Sequence, residues 1–149
     1  MTPKETVINC MKAWSEHNMD NLLALIAPEY VSESPMSGRV VGKDKMVGGF
    51  KMLDASFPDL KEEIVSIVTE GDTVACEVIE TATFTGALEL PTGVIAPTNK
   101  SYTLPFSAFF KINAEGLIIE QRNYFDTAIW FRQLGIDPQA FVPKSKPSK

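Results

Sequence analysis

The sequence predicts an α+β domain, in which a curved antiparallel sheet has the N-terminal helices packed on its concave face. Three observations support this fold class. Helical periodicity dominates residues 1–57, alternating strand patterns dominate residues 61–125, and one more helical segment follows at 127–134. Helices that precede an antiparallel meander are typical of α+β folds. Because long strands twist and curl, a sheet covered by helices on one face encloses a pocket, and we expect this pocket to be apolar.

The predicted helices begin and end at recognisable residues. Thr2, Pro3 and Glu5 form a capping box, with Thr2 as the N-cap and Pro3 as the first helical residue. Asp20 is expected to cap a second, short helix. The predicted helices run from Pro3 to about His17, from Asp20 to before Pro28 and from Gly42 to about Phe57.

The strands follow from apolar alternation and from the turn residues between the alternating stretches. Glu70-Gly71-Asp72 and Ala114-Glu115-Gly116 are predicted as tight turns. Residues 87–100, which include two prolines, are predicted as an irregular loop. The predicted strands cover residues 30–34, 39–41, 61–70, 73–86, 101–113 and 117–125, and a last helix covers residues 127–134.

Size, charge and hydropathy restrict the kind of protein. With 149 residues, the chain is predicted to form a single domain at residues 1–137 and a flexible tail at 138–149. The net charge of −5 without a basic patch argues against nucleic-acid binding. No apolar run has the length of a membrane span or of a signal peptide, so we expect a cytoplasmic protein without a membrane partner. Cys10 and Cys76 are expected to be free thiols.

The last predicted strand has an unusual polar face. A period of two places Glu120, Arg122, Tyr124 and Asp126 on the same side of this strand, and an apolar helical segment follows at 127–134. The Asp126 carboxylate is therefore expected to lie against an apolar wall, which raises the pKa of a carboxylate and makes it a usable base. The alternative interpretation is that Asp126 caps the last helix.

Short motifs are distributed along nearly the whole chain. They are Trp14 with residues 17–20; residues 28–35; Phe57-Pro58-Asp59-Leu60; residues 70–75; Thr83-Phe84-Thr85-Gly86; Pro97-Thr98; residues 116–126; and Gln133-Leu134-Gly135. In order and spacing they resemble the SnoaL-like polyketide cyclases, which belong to the α+β superfamily named after nuclear transport factor 2.

This resemblance implies a cone-shaped fold, an elongated apolar pocket, a homodimer, and neither a metal nor an organic cofactor. It also implies that Asp126 removes a proton from a carbon between two carbonyl groups and so starts an intramolecular aldol closure. The sequence departs from the family pattern at Phe84 and near Ala108, where cyclases commonly have histidine. A base at Asp126 would therefore work without these imidazoles.

Asp126, Arg122 and Tyr124 are the candidate catalytic residues. Arg122 can orient a substrate oxygen, or it can form a structural ion pair with Asp126 or Glu80. Tyr124 can donate a hydrogen bond to an enolate oxygen, or it can serve as a packing residue. Glu80 interrupts an otherwise apolar strand and is expected to face the pocket. The predicted substrate-binding residues are Trp14, Tyr30, Glu33, Phe50, Phe57, Glu80, Phe84, Phe106, Ala108 and Trp130.

Three functions fit the sequence. The first is an enzyme that acts on a small apolar or carbonyl-bearing ligand by proton transfer through Asp126. The second is a non-catalytic binding module of the same fold. The third resembles an epoxide hydrolase or a dehydratase, with water activated between Asp126 and another polar residue. A homodimer is expected through the outer face of the sheet, because a long exposed sheet face usually needs covering.

Overall fold

The structure, a computed structural model, describes residues 1–141 and confirms the predicted α+β fold class. The helices are α1 (Pro3–Ser15), α2 (Met19–Ala24), α3 (Lys43–Ser56) and α4 (Thr127–Leu134), and a 3-10 helix covers Pro138–Phe141. The strands are β1 (Ile26–Ser34), β2 (Gly38–Val41), β3 (Lys61–Glu70), β4 (Thr73–Thr83), β5 (Leu88–Leu90), β6 (Gly93–Ile95), β7 (Ser101–Ile112) and β8 (Ile118–Tyr124).

The start of α1 is the predicted capping box. The Glu5 backbone N–H donates to Thr2 Oγ1 at 3.2 Å, and the Thr2 backbone N–H donates to Glu5 Oε2 at 2.8 Å. The second helix begins earlier than predicted, because Asn18 rather than Asp20 is its N-cap and accepts from the Asn21 backbone N–H. Strand β1 consequently begins at Ile26, inside the stretch predicted as helix.

Six strands form one sheet in the order β2-β1-β8-β7-β4-β3. All neighbouring pairs are antiparallel except β1 and β8, which are parallel. Helix α1 contacts β3 and β4, and α3 contacts β1 and β2, so the helices cover the inner face of the sheet. The predicted loop at 87–100 contains a small β5–β6 hairpin, in which Gly93 adopts a φ of 141°.

Besides a register shift between Ile26 and Val31 of β1, the sheet has two bulges that decide which side chains of β3 and β8 face inward. In β3, Ile64 pairs with Val78 but Ser66 pairs with Glu77, so Val65 is an extra residue. In β8 the register shifts in the same way, and Ile119 is the extra residue opposite β7. Such bulges reverse the alternation of side chains on the strand beyond them.

The core consists of two clusters of buried apolar side chains. The first lies between α1 and the inner sheet face and includes Val7, Met11, Val74, Val78 and Phe110. The second lies around α4 and includes Phe57, Phe84, Tyr102, Trp130 and Leu134. The half-buried Trp14 packs against both clusters. Cys10 and Cys76 are buried free thiols, as predicted.

Pro138–Phe141, predicted as the start of a flexible tail, form a 3-10 helix. The Phe141 ring lies 4.8 Å from the Phe131 ring and 6.2 Å from the Trp130 ring, measured between centroids, so the 3-10 helix packs on α4. Residues 142–149, which complete the predicted tail, lie outside the described residues. In the part of the chain that the structure describes, no helix has both the length and the apolar character needed to cross a bilayer.

Candidate active site

A cavity of about 290 Å³ lies between the inner sheet face, α1, α3 and α4. Its walls are mainly apolar and include Met11, Trp14, Phe50, Phe106 and Trp130. The volume is at the lower end of the range of about 300–1,000 Å³ that is usual for small-molecule sites. Some of the polar side chains that interrupt this apolar lining form two separate hydrogen-bonded groups.

The first polar group is a pair of carboxyl groups. Glu62 on β3 and Glu80 on β4 are cross-strand partners, both line the cavity, and they are close enough to share a hydrogen bond. Burial raises the pKa of both groups, and the neighbouring Glu80 raises the pKa of Glu62 further. Hydrogen bonds from Tyr102 and Glu62 partly offset the effect of burial on the pKa of Glu80. Because the Tyr102 hydroxyl donates to Glu80, the ionised form of the pair is better stabilised at Glu80 and the proton at Glu62.

Tyr102 fixes the position of the Glu80 carboxylate. The Tyr102 hydroxyl donates to Glu80 Oε1 at 2.5 Å. The tyrosine ring is held edge-on by Phe57 and Trp130, with centroid distances of 5.6 Å and 5.9 Å. Burial and the adjacent carboxylate raise the pKa of Tyr102, so this hydroxyl keeps its proton and acts as a donor to Glu80.

The second polar group is a chain of side chains from β1 and β8. The Tyr30 hydroxyl donates to Gln121 Oε1 at 2.9 Å, and Gln121 Nε2 donates to Asn123 Oδ1 at 3.0 Å. All three residues line the cavity. Gln121 and Asn123 face inward because the bulge at Ile119 shifts the alternation of β8 by one residue.

The three predicted catalytic residues are not among the residues that line the cavity, so the prediction that Asp126 faces the pocket is wrong. Asp126 is exposed and is the N-cap of α4, and its Oδ1 accepts from the Ala128 and Ile129 backbone N–H groups at 2.9 Å and 3.3 Å. The alternative interpretation as a helix cap is therefore confirmed.

Arg122 and Tyr124 lie on the outer face of β8. Arg122 Nη1 lies 2.9 Å from Glu120 Oε1, so the predicted pairing with Asp126 or Glu80 is not formed. Tyr124 is 54% exposed, and its ring packs against Phe109 at 6.1 Å. The physical reason is the β8 bulge, which turns these side chains away from the cavity.

Seven of the ten predicted substrate-binding residues line the cavity: Trp14, Tyr30, Glu33, Phe50, Glu80, Phe106 and Trp130. The other three, Phe57, Phe84 and Ala108, are fully buried in the protein and are not part of the lining. The rings of Phe57 and Phe84 pack against each other at 5.3 Å, and the Ala108 carbonyl accepts from the Cys76 thiol.

Sequence reasoning missed Glu62, Tyr102, Gln121 and Asn123, the four unpredicted residues of the two polar groups. Tyr102 shares the period-two face of Phe106, so its position was available from the alternation of β7. An unbroken register from the turn after Glu70 would place Glu62 opposite Thr81, and only the bulge at Val65 places it opposite Glu80. Gln121 and Asn123 were likewise hidden by the β8 bulge. Among residues 1–141, no group of three or more His, Cys, Asp or Glu is arranged to hold a metal ion.

Comparisons with known proteins agree with this architecture. A family model described as SnoaL-like polyketide cyclase matches residues 6–134. A SnoaL-like structure from Jannaschia sp. CCS1, described as a candidate polyketide cyclase, has a TM-score of 0.78 and 20% identity and covers 91% of this chain and 93% of its own. IdmH from Streptomyces antibioticus, a candidate polyketide cyclase, has a TM-score of 0.75 and 22% identity. It covers 91% of this chain and 100% of its own.

A third similar structure carries a different description. AclR from Streptomyces galilaeus, a candidate hydroxylase, has a TM-score of 0.74 and 23% identity and covers 89% of this chain and 95% of its own. At these identities the structural likenesses establish the fold. No curated protein matches the chain at a significant level.

Proposed function

The chain belongs to the SnoaL-like polyketide cyclase family, and we propose that it transfers a proton at an activated C–H bond of a small apolar carbonyl compound, with Glu80 as the base and Glu62 as the acid. The observation that supports this proposal is the carboxyl pair on the wall of an apolar cavity. Two titratable groups whose surroundings separate their pKa values are a typical acid–base arrangement.

The proposed reaction begins at the Glu80 carboxylate. It accepts a proton from the carbon next to a ligand carbonyl group, the C–H electron pair forms a carbon–carbon double bond, and the π pair of the carbonyl moves onto its oxygen. Glu62 donates its proton to that oxygen, which gives an enol. The raised pKa of Glu80 makes it a stronger base than an exposed carboxylate while it remains able to ionise.

Tyr102 is a positioning residue in this scheme. Its hydroxyl holds one oxygen of Glu80, and the Phe57 and Trp130 rings restrict its movement. The other Glu80 oxygen becomes free for the substrate proton when the Glu62 proton turns from Glu80 to the carbonyl oxygen of the ligand. An enol formed in this way is also the nucleophile that an intramolecular aldol closure requires, which fits the family description of polyketide cyclase.

Proton exchange with solvent tests the assignment directly. We expect the wild-type protein to accelerate deuterium incorporation next to the carbonyl of 2-decalone in D₂O, followed by NMR. Glu80→Gln keeps the size of the side chain but removes the base, so we expect the accelerated rate to fall by roughly 10²- to 10⁴-fold.

Asp126→Asn is the matched control. Asparagine also caps helices well, so this variant should fold and exchange like the wild type. Equal rates for wild type and Glu80→Gln would contradict the role of Glu80. A loss with Asp126→Asn and none with Glu80→Gln would return the base to Asp126.

A non-catalytic binding module is the second candidate. It is favoured by the hydrogen bonds that Glu80 accepts from Tyr102 and Glu62, because these satisfy the carboxylate without a ligand. Saturable binding of 2-decalone with no acceleration of exchange would support this function over the proposed one.

A further inference from the structure

The second polar group of the cavity has a defined direction. Tyr30 donates to the Gln121 carbonyl oxygen, and the Gln121 amide nitrogen donates to the Asn123 carbonyl oxygen. Burial raises the pKa of Tyr30, so its hydroxyl keeps the proton that starts this chain. The series of bonds therefore ends with the amide nitrogen of Asn123, which is a donor and cannot accept.

This nitrogen is available to a ligand. Within residues 1–141, Asn123 Nδ2 has no hydrogen-bond partner, and it is not among the buried polar atoms that lack one. Asn123 lines the cavity, so the free N–H groups are accessible from the cavity. An oxygen atom of a bound molecule is the natural acceptor for these N–H groups. Once a ligand fills the apolar cavity, an N–H group without an acceptor would be unfavourable.

The acceptor should be a neutral oxygen. A buried carboxylate is costly unless it is paired with a positive charge. Lys45 is exposed and is the only cationic side chain in the described lining of the cavity. The Glu62–Glu80 pair also disfavours a second anion in the same cavity. A ketone oxygen accepts a hydrogen bond and carries no negative charge, so it fits this position.

The two polar groups are well separated. On β7, Leu104 pairs with Glu80 and Ala108 pairs with Asn123. Four residues along a strand correspond to about 13 Å between these points. Phe106 lies between them on the cavity floor. A ligand that reaches both groups must therefore be elongated, with an apolar middle.

We infer that Asn123 is a specificity-determining residue that binds a second carbonyl oxygen of the ligand, remote from the carbonyl at Glu62 and Glu80. The preferred ligand class is thus a neutral, apolar dione with its two oxygens at opposite ends. This inference rests on the proposed function for the identity of the reacting end.

Calorimetric titration with two matched compounds tests the inference. Decahydronaphthalene-2,6-dione has a carbonyl at each end, and 2-decalone has only one. We expect the wild type to bind the dione more tightly, and we expect the ratio of the two dissociation constants to fall by roughly 2- to 10-fold in Asn123→Leu, as for one neutral hydrogen bond.

Two further variants complete the design. Asn123→Asp, measured at pH 8, keeps an acceptor for Gln121 but removes the donor, and it should lose the preference as Asn123→Leu does. Tyr124→Phe changes the next side chain of β8, which points away from the cavity, and should keep the preference.

The inference is overturned if the wild type binds neither compound, if it does not prefer the dione, or if both Asn123 variants retain the preference. These binding outcomes are independent of the exchange rates that test Glu80. Loss of the preference in the Asn123 variants, with no exchange activity in the wild type, would leave the binding inference intact and reject the proposed catalysis.

Discussion

Glu62 is a carboxyl group whose pKa is raised by the fold. Its backbone is held by Ser15, whose hydroxyl accepts from the Glu62 N–H at 2.9 Å and donates to the Glu62 carbonyl at 3.4 Å. Burial and the neighbouring Glu80 raise the pKa of its side chain well above the ordinary value. This group therefore makes the stability of the protein depend on pH.

The sign of that dependence follows from proton binding. An unfolded glutamate loses its proton near pH 4.3, whereas folded Glu62 keeps it to a higher pH. Between these two pKa values the folded state binds more protons, so the stability that Glu62 contributes falls as the pH rises, and it stays low above the folded pKa.

Glu62→Gln should remove the loss of stability that ionisation of Glu62 causes as the pH rises. We expect the melting temperature of Glu62→Gln, relative to wild type, to be higher at pH 8 than at pH 4. In a chain of this size, each kcal/mol of free energy of unfolding shifts the melting temperature by about 2–4 °C. Thermal unfolding followed by circular dichroism measures the difference. Glu63→Gln, at the exposed neighbouring position, should show no such change. If the difference in melting temperature between Glu62→Gln and wild type is the same at pH 4 and pH 8, the prediction is contradicted.

Two bulges explain why the sequence predicted the fold better than the site. The order of helices and strands followed from capping residues, turn residues and apolar alternation, and each of these is a local signal. The same local signals do not predict which side chains of β8 face inward. Counting by two from Ile118, which is fully buried, leads to Glu120 and Arg122, whereas Ile119 at the bulge makes Gln121 and Asn123 the inward residues.

A bulge has no reliable signature in one sequence, because it depends on the pairing with the neighbouring strand. The same reasoning applies to Glu62, whose cross-strand partner changes from Thr81 to Glu80 through Val65. Tyr102 is different, since plain alternation on β7 would have identified it.

Gly86 connects the end of β4 to α3 by a close backbone contact. Its N–H donates to the Ser56 carbonyl at 3.2 Å, and a Cβ atom at Gly86 would lie 1.9 Å from the Ala55 carbonyl oxygen. Gly86→Ala must therefore displace backbone, and we expect a loss of about 1–3 kcal/mol in the free energy of unfolding. Urea denaturation measures this loss.

Gly48→Ala provides the comparison within α3. No heavy atom lies within 4 Å of a Cβ built at Gly48, and alanine favours the helix interior by about 1 kcal/mol. This variant should be as stable as wild type or more stable. A Gly86→Ala protein with unchanged stability would show that the contact does not constrain the fold.

The outer face of the sheet exposes large apolar side chains. Val65, Val68, Phe109 and Tyr124 are 59%, 63%, 37% and 54% exposed. Beside them the Nε of Arg122 is buried without a hydrogen-bond partner among the described residues. Exposed apolar patches of this kind mark interaction surfaces, and the homodimer through this face stays a prediction.

Sedimentation velocity tests that prediction. We expect a dimer at about 10 μM, since symmetric dimers are the commonest oligomers, and we expect Phe109→Glu to shift it towards monomer by placing charges in the interface. Val94→Glu changes an equally apolar side chain, 68% exposed on the β6 hairpin, and should leave the dimer unchanged. A monomeric wild type would reject the predicted interface.

The packing of Trp14 and Trp130 has a practical consequence. The chain contains two tryptophans, and both indoles line the same cavity: Trp130 belongs to the second core cluster, and Trp14 packs against both clusters. The tryptophan fluorescence of the protein therefore comes from two indoles in one cavity. The Trp14 indole is edge-on to the Phe50 ring, with 5.0 Å between the centroids. A molecule that fills the cavity changes the surroundings of both indoles, so the tryptophan fluorescence of the unlabelled protein reports whether the cavity is occupied.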